Sequence, residues 1–133
     1  MMLVTKAIRK KLLKNGERRS LDHIPVLKIF NPCGAATWLF VSMDPEAPDL
    51  LYGLSDLGFG VAETGDVRLS ELQSLKGRLG IGMERDRYFR AVYPLHVYLK
   101  AAESAGGIVE TADLLDAAAR RLGVMPQPPT QRC

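Results

Sequence analysis

The sequence VLKIFNPCGAATWLFV, residues 26–41, decides the fold class of this chain. It contains two short runs rich in β-branched and aromatic residues, 26–30 and 37–41, and such runs favour β-strands. The residues between them include Asn31-Pro32-Cys33-Gly34, a combination typical of tight turns. Because a connection this short cannot hold a parallel crossover, the two strands should pair antiparallel. The rest of the sheet is predicted by working outward from this hairpin.

Further strands are predicted on the C-terminal side of the hairpin. Residues 50–54 and 59–63 are apolar or aromatic runs, each preceded by turn-forming residues, Asp44-Pro45 for the first and Asp56-Leu57-Gly58 for the second. The segment 80–89 mixes glycine, charge and aromatic rings, and we interpret it as a loop followed by a last edge strand. The sequence therefore predicts an antiparallel β-meander of four or five strands.

Helical spacing follows the predicted sheet. Three leucines at intervals of three residues, from 69 to 75, predict a short helix with Ser70 as its N-cap and Gly77 at its end. Two more helices are predicted within residues 94–123. The first opens at Tyr93-Pro94, since proline is tolerated in a first turn, and the second opens at Thr111.

Length and composition limit the possible architectures. A chain of 133 residues with 47% hydrophobic residues can bury one core, and no run reaches the roughly 18 apolar residues of a membrane span. We expect a single α+β domain over residues 1–124, with an N-terminal amphipathic helix and the C-terminal helices packed on one face of the sheet. Residues 125–133 form a Pro-rich tail that is predicted to be disordered.

The strand at 37–41 alternates two apolar sets, Trp38 with Phe40 and Leu39 with Val41. One set should face the helices and the other should face solvent or a partner. We expect Trp38 in the core; the alternative is an exposed tryptophan that marks a binding patch.

The N-terminal segment concentrates positive charge. Residues 1–19 hold seven of the 18 basic and one of the 15 acidic residues, a net charge of +6 that leaves −3 for the rest of a chain whose total is +3. On a helix over residues 1–14, Val4, Ile8 and Leu12 form an apolar stripe opposite the basic side chains, and Asn15-Gly16 ends it. The basic side could meet a polyanion; the alternative is a solvated face that keeps the protein soluble. The predicted phosphate contacts are Lys6, Arg9, Lys10, Lys14, Arg18 and Arg19.

Cysteine and histidine usage excludes a zinc framework. The two cysteines, Cys33 and Cys133, and the two histidines, His23 and His96, lack metal-ligand spacing. We therefore expect no metal and no cofactor. A reduced, cytoplasmic setting is expected because the N-terminus lacks the apolar run of a secretory signal. A catalytic pair of Cys33 with a histidine is the weaker alternative, since a loop thiol becomes reactive only beside a base or a positive field.

The sharpest candidate site is Glu84-Arg85-Asp86 with Tyr88. A guanidinium flanked by carboxylates can hold a planar anion while an aromatic ring offers a stacking surface. In an extended segment, the even-numbered residues from 84 to 88 share one face and the odd-numbered residues from 85 to 89 share the other. The alternative is a structural clamp in which Arg85 pairs with an acid such as Asp56.

Several short motifs between residues 26 and 89 resemble a known family. They occur in the family's order, and the last is the most specific of them: Lys28-Ile29-Phe30, Trp38 before Asp44-Pro45, Tyr52-Gly53-Leu54 with Asp56, Leu69-Ser70-Glu71-Leu72 with Leu75-Lys76-Gly77, and Glu84-Arg85-Asp86 with Tyr88-Phe89. On these residues the chain resembles the bacterial domain-of-unknown-function family twenty-nine fifty-eight, small proteins of plasmids, conjugative elements and phages. The resemblance implies a cytoplasmic accessory protein of a mobile element, often encoded near antirestriction or plasmid-maintenance functions. It brings no reaction, cofactor or catalytic residue. The helices of 94–123 lie outside this family-like core of 26–89.

Together these features predict a binding protein rather than an enzyme. The leading hypothesis is weak, sequence-independent nucleic-acid binding through the basic N-terminal helix. The alternative is a protein-binding counter-defence (antirestriction-like) or toxin-neutralising factor that uses the acidic body and a sheet face. A small metal-dependent hydrolase is the least favoured class, because it would need several carboxylates to converge on a cation. The only candidate metal ligands for such a hydrolase are Asp44, Asp56, Glu84 and Asp86.

Overall fold

The computed structural model describes residues 2–126. The predicted tail, 125–133, therefore falls largely outside the described residues. The chain forms helices α1 (Lys6–Gly16), α2 (Leu69–Ser74), α3 (Leu95–Ala105) and α4 (Ala112–Leu122), and strands β1 (Leu27–Phe30), β2 (Thr37–Met43), β3 (Leu50–Asp56), β4 (Ala62–Arg68) and β5 (Glu84–Arg85). A single 3-10 turn, Arg78–Gly80, lies between α2 and β5.

The five strands form one antiparallel sheet in the order β4-β3-β2-β1-β5. The first four follow each other as the predicted meander, and β5 returns to pair with β1, with Ile29 opposite Arg85 and Phe30 opposite Glu84. The α+β prediction is thus confirmed, and so is the last edge strand within 80–89. None of the helices in residues 2–126 has both the length and the apolar character of a membrane span.

Helices cover both faces of the sheet. Leu39 and Val41 of β2 pack into a cluster with α3 and α4, which defines the α3–α4 face. Trp38 and Phe40 pack into a second cluster with α1 and α2, which defines the α1–α2 face. The C-terminal helices share one face as predicted, but the expectation that one side of β2 is open is wrong, because α1 docks on it. Trp38 is 4% exposed, so its predicted place in the core is confirmed.

The turn between β3 and β4 is longer than predicted. The strand expected at 59–63 begins only at Ala62, because residues 57–61 are taken up by the turn. Gly58 and Gly60 have φ angles of +91° and +90°, which glycine adopts without strain. The backbone N–H of Gly58 donates to Asp56 Oδ1 at 2.9 Å and closes the start of the turn. As a result the Phe59 side chain is 85% exposed instead of contributing to a strand.

The N-terminus of α2 is capped by a residue distant in sequence. Ser70 is not the N-cap; Arg68 holds that position and its side chain makes no capping bond. The free amides at the helix start are satisfied by Asp49, whose carbonyl accepts from the Leu69 N–H at 2.7 Å and whose Oδ1 accepts from the Ser70 N–H at 2.9 Å. The hydrogen bond from the Ser70 hydroxyl is the main cause that lowers the pKa of Asp49. The helix ends at Ser74, before the predicted Gly77.

The terminal helices follow the sequence pattern more closely. Helix α1 begins at Lys6, later than predicted, because the Thr5 hydroxyl caps it by accepting from the Ile8 N–H at 3.2 Å. It ends at Gly16, as the Asn15-Gly16 pair indicates. Helix α3 begins directly after Pro94, and α4 begins after Thr111. Both end at a glycine in the left-handed conformation, Gly106 and Gly123.

Candidate functional site

Helix α1 is fixed to the sheet by its apolar side and its C-terminal end. Leu12 is fully buried in the cluster of the α1–α2 face. The Asn15 side-chain amide donates to the Val41 carbonyl at 2.9 Å. At Gly16 the backbone lies so close to β2 that a Cβ atom would be 1.9 Å from the Met43 carbonyl oxygen. The helix therefore cannot roll on the sheet, and its outer side has a defined orientation.

The outer side of α1 is a cationic face. All of its lysines and arginines are exposed: Lys6, Arg9, Lys10, Lys11 and Lys14. Lys14 forms an ion pair with Glu17 at 3.5 Å, but the two side chains are 77% and 64% exposed. Such an exposed pair is weak, so the ammonium group of Lys14 stays accessible. Within residues 2–126, the other four form neither an ion pair nor a side-chain hydrogen bond. Lys11 is not among the predicted contacts, because on a helix it lies beside the apolar stripe of Val4, Ile8 and Leu12, but the structure shows that it is exposed.

Of the two arginines after α1, Arg19 does not join the cationic face. Arg19 Nη1 bonds Asp66 Oδ2 at 3.1 Å, and its guanidinium carbon lies 3.8 Å from the centre of the Tyr52 ring. Tyr52 packs against the cluster of the α3–α4 face, so Arg19 lies across the sheet from α1. Arg18 is exposed, and its carbonyl accepts from His23 Nε2 at 2.6 Å. The structure therefore brings four of the six predicted phosphate contacts together, and the charge of Arg19 is already paired.

Arg85 acts as a clamp, but not with the predicted acid. Because it pairs with Ile29, its side chain extends over the α1–α2 face, where its Nη1 donates to the Met2 carbonyl. Asp56 is occupied elsewhere: its Oδ1 accepts from Gly58, and its Oδ2 accepts from the Ile108 N–H at 2.8 Å. The predicted Arg85–Asp56 pair is thus wrong. The groups that bond Asp56 and Arg85 Nη1 are backbone atoms, which charge patterns in a sequence do not indicate.

On the other face of the β1–β5 pair, Lys28 of β1 forms ion pairs with two acidic residues. Its Nζ lies 2.7 Å from Glu110 and 3.5 Å from Asp86, and its side chain is only 17% exposed. Asp86 Oδ1 accepts from the Tyr88 N–H at 2.9 Å, which turns the chain and ends the extended segment. The predicted alternation of faces therefore stops before Tyr88. Sequence reasoning missed Lys28, although a lysine between the apolar Leu27 and Ile29 is a signal for a half-buried charge.

Two adjacent cavities open along the segment that includes β5. The first, which we call the β5 cavity, has a volume of about 380 Å³ and is lined by Lys28, Phe30 and residues 84–88. The second has a volume of about 330 Å³ and includes Tyr93, Tyr98 and Asp116 in its wall. Asp86 and Tyr88 line both. All four residues of the predicted cluster, Glu84, Arg85, Asp86 and Tyr88, are therefore found at one place.

The second cavity contains two perturbed tyrosines. The Tyr93 hydroxyl donates to Asp116 Oδ1, and this bond is the main cause that raises the pKa of Tyr93. Burial is the main cause that raises the pKa of Tyr98 to about 12, and the nearby charge of Glu110 adds to it. Both shifts favour the neutral phenol. Neither tyrosine is therefore set up as a base near neutral pH.

The residues that a metal or nucleophilic centre would need are dispersed. Residues 2–126 contain no group of three or more His, Cys, Asp or Glu side chains placed to hold a metal ion. Of the four carboxylates considered for a metal site, Asp44 accepts from the Glu46 N–H at 2.9 Å in the turn before β3. Cys33 is a half-buried free thiol in the β1–β2 turn. Both histidine rings bond main-chain carbonyls of the segment after α1, at Arg18 and Leu21.

Comparison with known proteins gives one match. A family model described as Protein of unknown function (DUF2958) matches residues 3–109. The matched span begins before α1 and ends in the connection after α3, so it includes the cationic face, the whole sheet and the β5 cavity. No curated protein and no solved structure matches the chain.

Proposed function

Since the chain belongs to the DUF2958 family, which is itself of unknown function, we propose from the geometry of this member that it is a non-enzymatic protein that binds nucleic acid on the cationic face of α1. The observation that carries this proposal is the two-sidedness of α1. Leu12 and Asn15 hold one side on the sheet, and the opposite side presents lysines and arginines to solvent. A cytoplasmic role on a bacterial mobile element, the setting implied by the family resemblance, belongs to the same proposal.

The spacing of the charges suits a phosphate backbone. Lys6, Lys10 and Lys14 are four residues apart, and each step of four residues rises about 6 Å along a helix. The exposed charges therefore form a line about 12 Å long. Lysines on such a line contact phosphates as point charges and do not read base edges. Binding should be independent of sequence and should fall steeply as the salt concentration rises.

Substitution of paired charges tests the proposal. We expect Arg9→Gln/Lys10→Gln to weaken binding to a fluorescein-labelled DNA duplex and to reduce the slope of log K against log salt by about 1 for each phosphate that is no longer neutralised. The matched control is Arg120→Gln/Arg121→Gln, which removes two adjacent exposed charges from another helix. Fluorescence anisotropy between about 50 and 200 mM salt measures both quantities. Equal reductions in the two variants would refute the proposed surface.

Point substitutions are needed because the N-terminal segment cannot be removed cleanly. Leu3 is 3% exposed and Leu12 is fully buried, and both belong to the core cluster of the α1–α2 face. A deletion of residues 1–19 would open this core, and any decrease in binding would then reflect unfolding. Arg9 and Lys10 are exposed and belong to neither core cluster, so their substitution leaves the core intact.

The protein-binding alternative requires a different surface from the one expected. The sheet face that was expected to bind a protein partner is covered, because helices pack on both sides of β2. Three exposed apolar side chains, those of Leu57, Phe59 and Val61, lie at the tip of the β3–β4 turn. A counter-defence or toxin-neutralising role would use this tip. Capture of a protein from host lysate that resists nuclease and is abolished in Phe59→Ser would favour it over nucleic-acid binding.

A further inference from the structure

The backbone around Tyr88 is held in place, but the ring itself is exposed. The Tyr88 N–H is bonded to the Asp86 carboxylate, and the Phe89 N–H is bonded to the Asp86 carbonyl at 3.4 Å. Phe89 packs against the cluster of the α3–α4 face, which anchors the next residue. Tyr88 is nevertheless 84% exposed, at the mouth of the β5 cavity. A rigid turn thus presents an aromatic ring to solvent.

The charged residues around this ring divide into occupied and available groups. Lys28 is held by Asp86 and Glu110, and Arg85 is bonded to the carbonyl of Met2. Arg87, which also lines the β5 cavity, is exposed and forms no ion pair or hydrogen bond with its side chain in the described part of the chain. Of the cations that line the cavity, Arg87 is therefore the one available to an incoming phosphate, because the charge of Lys28 is balanced by Asp86 and Glu110.

We propose that the β5 cavity is a stacking site for an unpaired nucleotide of a single strand, in which Tyr88 stacks on the base and Arg87 contacts the phosphate. Exposed aromatic rings beside cationic grooves bind single strands in this way, because every base has a face on which a ring can stack. Bases in a duplex are stacked on each other and do not offer that face. The site therefore prefers single-stranded over duplex nucleic acid.

This inference rests on the proposed function, since it assigns a second contact to the same ligand. Arg85, which lines the β5 cavity, is bonded to the carbonyl of Met2, and residues 2–5 lead into α1. The cationic face would supply most of the affinity through phosphates, and Tyr88 would supply the preference for unpaired bases.

Substitutions of Tyr88 separate stacking from charge. We expect Tyr88→Ala to weaken binding of a labelled oligothymidylate by about tenfold, and to leave binding of a duplex unchanged. Tyr88→Phe keeps the ring and should bind like the unaltered protein. The matched control is Phe59→Ala, which removes an aromatic ring of nearly equal exposure, 85%, from the β3–β4 turn. Fluorescence anisotropy at one salt concentration measures all four.

The pattern of weakened binding distinguishes this inference from the proposed function. Equal effects of Tyr88→Ala and Phe59→Ala, or equal effects on single strand and duplex, would overturn the stacking site. If Arg9→Gln/Lys10→Gln weakens binding and Tyr88→Ala does not, the stacking site is refuted and the cationic face stands. If binding depends on Tyr88 and not on Arg9 and Lys10, the stacking site stands and the proposed function is refuted.

Discussion

Gly53 on β3 lies directly opposite Gly65 on β4, but the two glycines have opposite surroundings. A Cβ atom on Gly53 would be 2.0 Å from the Leu39 carbonyl oxygen, whereas a Cβ atom on Gly65 would meet nothing within 4 Å. The crowding at Gly53 accompanies an irregularity in the β2–β3 pairing between Phe40 and Ser42, which is typical of a β-bulge. Glycine at position 53 is therefore a requirement of the central sheet.

Substitution of the two glycines should give opposite results. We expect Gly53→Ala to lower the free energy of unfolding by about 3 kcal/mol, because the main chain of β2 must move to admit the methyl group. Gly65→Ala should raise it by up to about 1 kcal/mol, since alanine loses less entropy in a strand. Urea denaturation followed by Trp38 fluorescence measures both. A destabilisation in Gly65→Ala as large as in Gly53→Ala would contradict the argument.

Asp56 joins the end of β3 to the connection between α3 and α4, and its removal should be costly. We expect Asp56→Ala to destabilise the fold by about 1–3 kcal/mol, because the buried carboxylate of Asp56 is the acceptor for the amides of Gly58 and Ile108 in two partly buried hydrogen bonds. Asp66→Ala removes a carboxylate from an exposed ion pair with Arg19 and should cost less than about 1 kcal/mol. Equal destabilisation in urea denaturation would rule out the special role of Asp56.

Leu12 should be critical for stability although it lies in the most basic helix. We expect Leu12→Ala to cost about 2–5 kcal/mol, the range for a fully buried leucine. Lys10→Ala, on the outer side of the same helix, should change stability by less than about 0.5 kcal/mol. Thermal unfolding followed by circular dichroism measures the difference. If both variants melted alike, α1 would not be part of the core.

Stability should fall in strongly alkaline solution because of Tyr98. Its pKa is raised to about 12 from a reference value of 10.0, mainly by burial. Between these two values the unfolded chain ionises the phenol while the folded chain keeps it neutral, so the free energy of unfolding decreases as the pH rises through this window. Below it the contribution is fully present. Tyr98→Phe should flatten this decrease in urea denaturations at successive pH values, and an unchanged slope would exclude Tyr98 as its source.

Local patterns in the sequence were sufficient for much of the fold. The hairpin at 26–41, the edge strand before Asp86 and the two C-terminal helices depend on periodicity and on turn residues, which act between neighbours. The start of β4 and the cap of α2 depend on contacts at longer range. Asp49 caps a helix that begins 20 residues later, and Asp56 bonds an amide 52 residues away. No spacing rule indicates such pairs.

The candidate site divides in the same way. Lys6, Arg9, Lys10 and Lys14 were predictable, because an amphipathic helix that buries Leu12 must turn them outward. Arg19 was not, because the chain after α1 crosses to the other face of the sheet, where Tyr52 and Asp66 hold it. The cluster around Glu84 was predicted as a unit. The position of Lys28 between Asp86 and Glu110 was not predictable, because it depends on the pairing of β1 with β5.

Strand β2 is the third of five strands and is covered by helices on both sides. Its amide protons can meet solvent only when the neighbouring strands and the helices above and below have separated, which amounts to unfolding of the domain. Deuterium uptake at β2 would therefore report the global stability. Uptake along the outer rim of β4, which has a partner strand on one side only, would report the small local openings that precede it.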